Sequence, residues 1–156
     1  GLPCGAFLGR SDILDLADPA RGEFFHSSTF AGYPIAMAAG MATLDELEKR
    51  ETFDRLLKTT RTLASGFERL LKDHRMPAAI PAVGTVFSIL FTDRAPRTYR
   101  DTLAADEAKR SVVDTSLLAR GIFVKPGKPF YLSTAHDDLA IRQTLEAFEE
   151  SLSGLA

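Results

Sequence analysis

Apolar positions along the chain fall into two patterns, and each predicts its own kind of element. Between residues 53 and 71, Phe53, Leu56, Leu57, Leu63, Ala64, Phe67, Leu70 and Leu71 recur at steps of three and four. Asp54, Arg55, Lys58, Arg61, Glu68, Arg69 and Lys72 fill most of the other faces. That is an amphipathic helix, with Thr52 as its expected N-cap and Pro77 closing the segment. Residues 79–93 change character: Ile80, Val83, Val86, Phe87, Ile89, Leu90 and Phe91 are β-rich, interrupted by Pro81 and Gly84. The expected structure is an extended approach, a kink at Gly84 and a strand from about residue 85 to 91, covered on both faces. Residues 92–104 are polar, contain Pro96 and read as a loop. Helical spacing returns over 105–120, with Ala108, Val112, Leu117 and Leu118 expected to face inward and Gly121 to reverse the chain. Strands are expected at 122–124 and 130–133 around the turn Lys125-Pro126-Gly127-Lys128-Pro129. Asp137 can cap a last helix reaching about Leu152, with Ile141, Leu145, Phe148 and Leu152 buried.

The first 50 residues are less regular. A short strand is expected at 6–8, then a short helix at 13–16 behind Ser11-Asp12, stopped by Asp18-Pro19. Pro34 opens a helix expected to run to about Arg50, because proline at the first helical position loses no bond the helix would make. Its run Ile35-Ala36-Met37-Ala38-Ala39-Gly40-Met41-Ala42 carries no charge, so close packing against another surface is expected. The chain opens Gly1-Leu2-Pro3-Cys4-Gly5-Ala6-Phe7-Leu8-Gly9, glycine-rich and apolar, and reads as the interior of a longer protein. The carboxy-terminal two-thirds is an α+β pattern, a small antiparallel sheet covered by helices on one face.

Composition narrows the function classes. With 45% hydrophobic and 26% charged residues the chain has the makings of an ordinary packed core. A net charge of −2 without a basic stripe argues against a nucleic-acid binder. No apolar run approaches the roughly 20 residues of a membrane helix, and no signal-peptide pattern occurs. The single Cys4 rules out an intramolecular disulfide framework and is consistent with a reducing compartment; the expected location is cytoplasmic. No motif spacing gives a metal site.

The candidate chemistry concentrates in His26-Ser27-Ser28-Thr29-Phe30-Ala31-Gly32-Tyr33-Pro34. Three consecutive hydroxyls beside a glycine can offer neutral donors to a phosphate, although Ser and Thr also belong in ordinary turns and caps. His26 has no identifiable carboxylate partner and reads as structural; His136, before a helix cap, reads the same way, and His74 as solvated. Cys4 has no nearby base. Asp137-Asp138 and Glu149-Glu150 read as a cap and an exposed helix face. Lys125 and Lys128 flank a Pro/Gly turn, which does not desolvate an amine for covalent catalysis. From the residues alone, one ligand loop is present without a complete catalytic set.

Three stretches resemble a known family. Gly1-Leu2-Pro3-Cys4-Gly5-Ala6 resembles Gly-Gly-Gly-Leu-Pro-Val-Gly-Ala. The stretch Thr29-Phe30-Ala31-Gly32-Tyr33-Pro34-Ile35-Ala36-Met37-Ala38-Ala39-Gly40 resembles Gly-Thr-Phe-Ser-Gly-Asn-Pro-Leu-Ala-Met-Ala-Ala-Gly. Leu132-Ser133-Thr134-Ala135-His136 resembles Phe-Leu-Ser-Thr-Ala-His. In this order they resemble the carboxy-terminal part of class III, fold-type I pyridoxal-phosphate (PLP) aminotransferases, closest to the glutamate-1-semialdehyde aminomutase-like branch. The resemblance implies an α/β fold in which residues 1–50 are the tail of the PLP-binding large domain and residues 51–156 a small α+β domain. It implies that Thr29 reaches across a homodimer interface to the cofactor phosphate of the other subunit, with Ser28 helping through its backbone. The family's Schiff-base lysine lies a few residues before the position of Gly1, and the aspartate that pairs with the pyridine nitrogen lies further upstream. A chain without these groups is expected to be inactive alone. Ser28 stands where the family has glycine, Tyr33 where the aminomutases have Asn, and Lys125 to Tyr131 lacks the acidic Ser-Gln-Phe-Glu stretch of the aminomutases. An amino acid or amine substrate is implied, without nucleic acid or membrane as partner. The competing reading is a non-catalytic dimerisation or interaction domain that retains the small-domain fold.

The uncharged run from Ile35 to Ala42 makes one expectation independent of family. The isolated chain self-associates or is poorly soluble, and sedimentation at increasing concentration should show mass rising above the monomer.

Overall fold

A computed structural model describes residues 2–24 and 27–155. The chain divides into two compact units, Gly1–Lys49 and Arg50–Ala156.

In the first unit, residues 2–10 are irregular: no strand forms at 6–8 among the described residues, correcting the strand expected there, and Phe7 and Leu8 are exposed. Helix α1 (Ser11–Leu14) continues into a 3₁₀ turn (Asp15–Ala17). Ser11 is therefore the first helical residue and not a cap; the N-cap is Arg10, whose guanidinium binds the Asp12 carboxylate. Helix α2 (Pro34–Leu47) starts at the predicted proline but stops before Arg50. Ala36 is its buried residue; Ile35, Met37, Met41, Leu44 and Leu47 are exposed. At Gly40 an added Cβ would lie 3.4 Å from Cys4 Sγ, a distance of ordinary contact, so nothing in this unit demands a glycine there.

The second unit holds a continuous core. Helix α3 (Arg50–Asp73) buries Leu56, Leu63, Ala64, Phe67, Leu70 and Leu71 along one stripe. Thr52 is not its N-cap, because the helix begins two residues earlier and Thr52 lies buried in its first turn. The C-terminus closes with Met76 N–H donating to Leu71 O (2.8 Å) and Arg75 N–H to Lys72 O (3.0 Å), a Schellman motif. Its reversing residue is Arg75 at φ +55°, a left-handed conformation normally given to glycine.

Strands β1 (Ala82–Val83) and β2 (Val86–Phe87) form a hairpin across Gly84-Thr85, with Val83 opposite Val86. Gly84 thus makes a reversal, at φ +59°, and does not kink a single strand. Strand β3 (Phe130–Tyr131) adds antiparallel to β2, giving the order β1-β2-β3. The ladder is shorter than the β-rich pattern, and beyond Phe87 the pairing continues as the isolated Ala79–Leu90 bridge. Phe87, Ile89 and Phe91 are buried while Val86, Ser88 and Leu90 are half-buried, so one face of this segment is fully covered, not two. Residues 122–124 form no strand, correcting the one expected there.

The loop expected at 92–104 contains a one-turn helix α4 (Tyr99–Thr102), held by a capping box between Thr98 and Asp101. Helix α5 (Glu107–Ala119) is capped by Asp106, which accepts from Lys109 N–H (2.9 Å). It ends in a second Schellman motif with Gly121 at φ +82°: Ile122 N–H donates to Leu117 O (2.9 Å). Helix α6 (Asp138–Ser153) is capped by Asp137 as predicted, accepting from Ala140 N–H (2.8 Å). Helices α3 and α5 both pack on α6. Gly66 permits that approach, since a Cβ there would lie 2.4 Å from Leu145 Cδ2.

Four phenylalanines join these layers. Phe67 of α3 stacks on Phe148 of α6 (centroids 3.9 Å apart) and meets the edges of Phe87 and Phe130, each at 5.6 Å. The fold is mixed helix and small antiparallel sheet, as the sequence pattern predicts. Among the described residues no helix is long and apolar enough to cross a membrane.

The strained turn at Arg75 gives a stability prediction. Arg75→Gly relieves a left-handed L-residue, while glycine raises the entropy of the unfolded chain. The net effect expected in a denaturant melt is stabilisation of about 0.5–1 kcal/mol. A lower midpoint would contradict it.

Candidate functional site

The hydroxyl loop lies in the first unit, immediately before α2. Two overlapping turns shape it: Ala31 N–H donates to Ser28 O (3.0 Å) and Tyr33 N–H to Phe30 O (3.1 Å). Gly32, at φ +70°, completes the second turn, and the space where its Cβ would stand is empty for 4 Å. Ser28 Oγ accepts from Phe30 N–H at 3.4 Å, so this side chain folds back on its own loop. Ser27, Ser28 and Thr29 are all exposed, and the Thr29 hydroxyl has no hydrogen-bond partner among the described residues. The α2 N-cap, Tyr33, makes no side-chain cap bond, so the first N–H groups of the helix stay uncapped beside the loop. Residues 27–34 contain no charged side chain. The loop thus offers neutral O–H and N–H donors, the donor set a phosphate dianion needs from a surface that does not itself neutralise it. His26 lies outside the described residues.

The other candidates do not join this loop into a catalytic group. Cys4 is a free, exposed thiol. In the second unit, His136 Nδ1 accepts from Ser133 N–H at 3.0 Å, which makes it part of the turn before α6. His74 is half-exposed at the end of α3. Lys125, Gly127 and Lys128 lie in one exposed turn. No group of His, Cys, Asp and Glu among the described residues could hold a metal ion.

Two features of the second unit have no counterpart in the apolar periodicity. The first is a buried ion pair on α5: Arg110 Nε donates to Asp114 Oδ1 at 2.8 Å, with both side chains almost fully enclosed. The Arg110 guanidinium also lies over the Phe130 ring, 4.9 Å from its centroid. The inward face of α5 is Arg110, Val113, Asp114 and Leu117, whereas Ala108, Val112 and Leu118, expected inside, are exposed. The detectable signal was the Arg–Asp spacing of four, which places opposite charges on one helical face. The second is a groove of about 980 Å³ lined by Asp93, Arg94, Arg97, Asp101, Asp106 and Lys109, among others. Its charges balance, and Asp101 is engaged in capping α4, so the groove selects no ligand by sign of charge.

With the fold and this loop described, the class of protein follows from comparison. Residues 1–145 match the class-III aminotransferase family, and the chain belongs to it. Solved structures of similar fold include an omega-transaminase from Sphaerobacter thermophilus, 27% identical with a TM-score of 0.83 over 93% of this chain and 34% of that one. A beta-phenylalanine aminotransferase from Variovorax paradoxus is 27% identical with a TM-score of 0.78, over 94% of this chain and 34% of that one. A glutamate-1-semialdehyde-aminomutase from Pseudomonas aeruginosa PAO1, in complex with PMP, shares the fold at 19% identity (TM-score 0.73, 88% of this chain and 33% of that one). The chain spans about a third of the length of these structures.

The α4 cap supplies a pH prediction. The N–H groups of Arg97 and Thr98, then the Thr98 hydroxyl, hold the Asp101 carboxyl below its usual range. The folded value is the depressed one. The cap's contribution is therefore fully present above the unfolded carboxylate value of about 4 and is lost as pH falls through the folded value. Amides of residues 97–102 should lose protection on acidification below about pH 4. Asp101→Asn, which cannot ionise, should remove that dependence while leaving the other amides unchanged.

Proposed function

We propose that this chain is the carboxy-terminal portion of a PLP-dependent aminotransferase. Residues 1–50 form the tail of its cofactor domain and residues 51–156 its small domain. The observation that carries the site reading is the unpartnered Thr29 hydroxyl in a charge-free loop of turns. Thr29 and Ser28 hold the cofactor phosphate: Thr29 through its hydroxyl, Ser28 through its backbone N–H. In the working homodimer that phosphate belongs to the cofactor bound mainly by the other subunit. When bound, PLP supplies an electron sink for charge developing on the substrate, an amino acid or amine. The residues of this chain bind and orient. Neutral donors suit the role, because they fix the phosphate without adding a proton equilibrium near the reaction. No described atom crowds the position a Cβ would take at Gly32.

The covalent lysine and the partner of the pyridine nitrogen belong to the upstream portion of the protein. The fragment alone is therefore inactive, and the whole enzyme works in the cytoplasm. Family membership and the 27% identical transaminases support an amino-group transferase. The aminomutase activity is the less supported form, since Lys125 to Tyr131 lacks the acidic stretch.

The test uses the protein with its upstream portion present. A hydrogen bond to a charged group contributes about 1.5–3 kcal/mol, so Thr29→Ala should weaken PLP binding by about ten- to a hundredfold in equilibrium dialysis. Thr29→Ser, which keeps the hydroxyl, should recover most of it. Wild-type affinity in the alanine variant would refute the assignment of Thr29. Absence of PLP binding by the whole wild-type protein would favour a non-catalytic interaction domain.

A further inference from the structure

The buried ion pair of α5 is directed at a surface turn. Arg110 and Asp114 are 5% and 0% exposed. Their mutual bond uses one atom of each. The remaining polar atoms go to the backbone of two loops. Arg110 Nη1 donates to Ile89 O at 2.9 Å and lies 3.4 Å from Ser88 Oγ. Arg110 Nη2 donates to Lys128 O at 2.7 Å, and Asp114 Oδ2 accepts from Gly127 N–H at 2.8 Å. The pair therefore grips both a donor and an acceptor of the turn, and keys them to the chain leaving β2.

A buried ion pair is a poor device for stability, since desolvation offsets most of its attraction and apolar residues of equal volume commonly do as well. Apolar residues could not hold the turn, because they offer its backbone no partners. Apart from the pair, a single backbone bond closes the turn, from Lys128 N–H to Lys125 O at 3.1 Å. Gly127 sits at φ +68°, and residues 125–128 are exposed, so packing does little to fix them. Neither lysine forms an ion pair with a described residue.

We propose that Arg110 and Asp114 form a conformational lock whose task is to hold the Lys125–Lys128 turn in one conformation, so that its two ammonium groups project from a fixed frame. The lock acts on the turn and not on global stability. This reading is independent of the cofactor and of the hydroxyl loop.

Residue-resolved hydrogen exchange and denaturant melts on the intact protein test it. The Lys128 amide is the cleanest reporter, because its bond to Lys125 O is untouched by either substitution. In the double variant Arg110→Met/Asp114→Leu, Lys128 and Gly127 should exchange on the order of tenfold faster or more, with core amides such as Phe67 and the melting midpoint at wild-type values. Arg110→Lys keeps the charge opposite Asp114 but loses the fork that reaches Ile89 O and Lys128 O. It should loosen the same two amides over an unchanged core. Wild-type protection of Lys128 in the folded double variant would overturn the lock. So would core and turn amides accelerating together, which marks a stability role. Should the double variant fail to fold, Arg110→Lys decides alone: faster Lys128 exchange over an unchanged core upholds the lock, and wild-type protection overturns it.

Discussion

The aromatic contact at Phe67 is the constraint on which the second unit depends. Phe67 stacks on Phe148 and meets Phe87 and Phe130 edge-on, so a single α3 side chain touches α6, β2 and β3. The strands are two residues long and could not persist as an isolated sheet. They persist here because Phe87 and Phe130, opposite each other in the ladder, place stacked rings on the helical layer. Ring faces and edges prefer particular arrangements, so this contact fixes orientation as well as burying area.

The polar network continues from the same ring. Arg110 lies over Phe130 and reaches from there to Ile89, Lys128 and, with Asp114, Gly127. Charge enters the interior only where every donor and acceptor has a partner; among the described residues no buried side-chain polar atom is left unsatisfied. The consequence is a division of labour. Apolar packing supplies cohesion, and the enclosed ion pair determines where a particular piece of backbone lies. The half-helical, loop-rich architecture needs such devices, since its sheet is too short to fix the loops through ladders.

The first unit obeys a different constraint. Its helix α2 is apolar yet leaves Ile35, Met37, Met41, Leu44 and Leu47 exposed. A helix hydrophobic on most faces belongs inside a larger body. The family membership over residues 1–145 and the coverage of only a third of the related structures give that observation its context. The hydroxyl loop before α2 has the same character: the exposed Thr29 hydroxyl has no hydrogen-bond partner among the described residues.

The sequence by itself determined the long helices α3 and α6, the caps at Asp137 and Gly121, and the class of the fold. These follow from periodicity and from single-residue backbone preferences, both local properties. The family was legible too, because the Thr29–Gly40 and Leu132–His136 stretches keep residue types at positions that backbone geometry and donor chemistry demand. Local rules failed where a partner decided the outcome. Residues 6–8 and 122–124 look like strands, but among the described residues neither segment joins a ladder. Thr52 looks like a cap, but the helix starts earlier. Gly84 makes a hairpin, because Val86 found Val83 opposite. The clearest failure is α5. An apolar stripe through Ala108, Val112 and Leu118 was the local expectation, and the helix instead turns Arg110 and Asp114 inward. Only the tertiary structure could decide that, because a buried charge is tolerable solely when distant backbone groups, here at residues 89, 127 and 128, arrive to satisfy it.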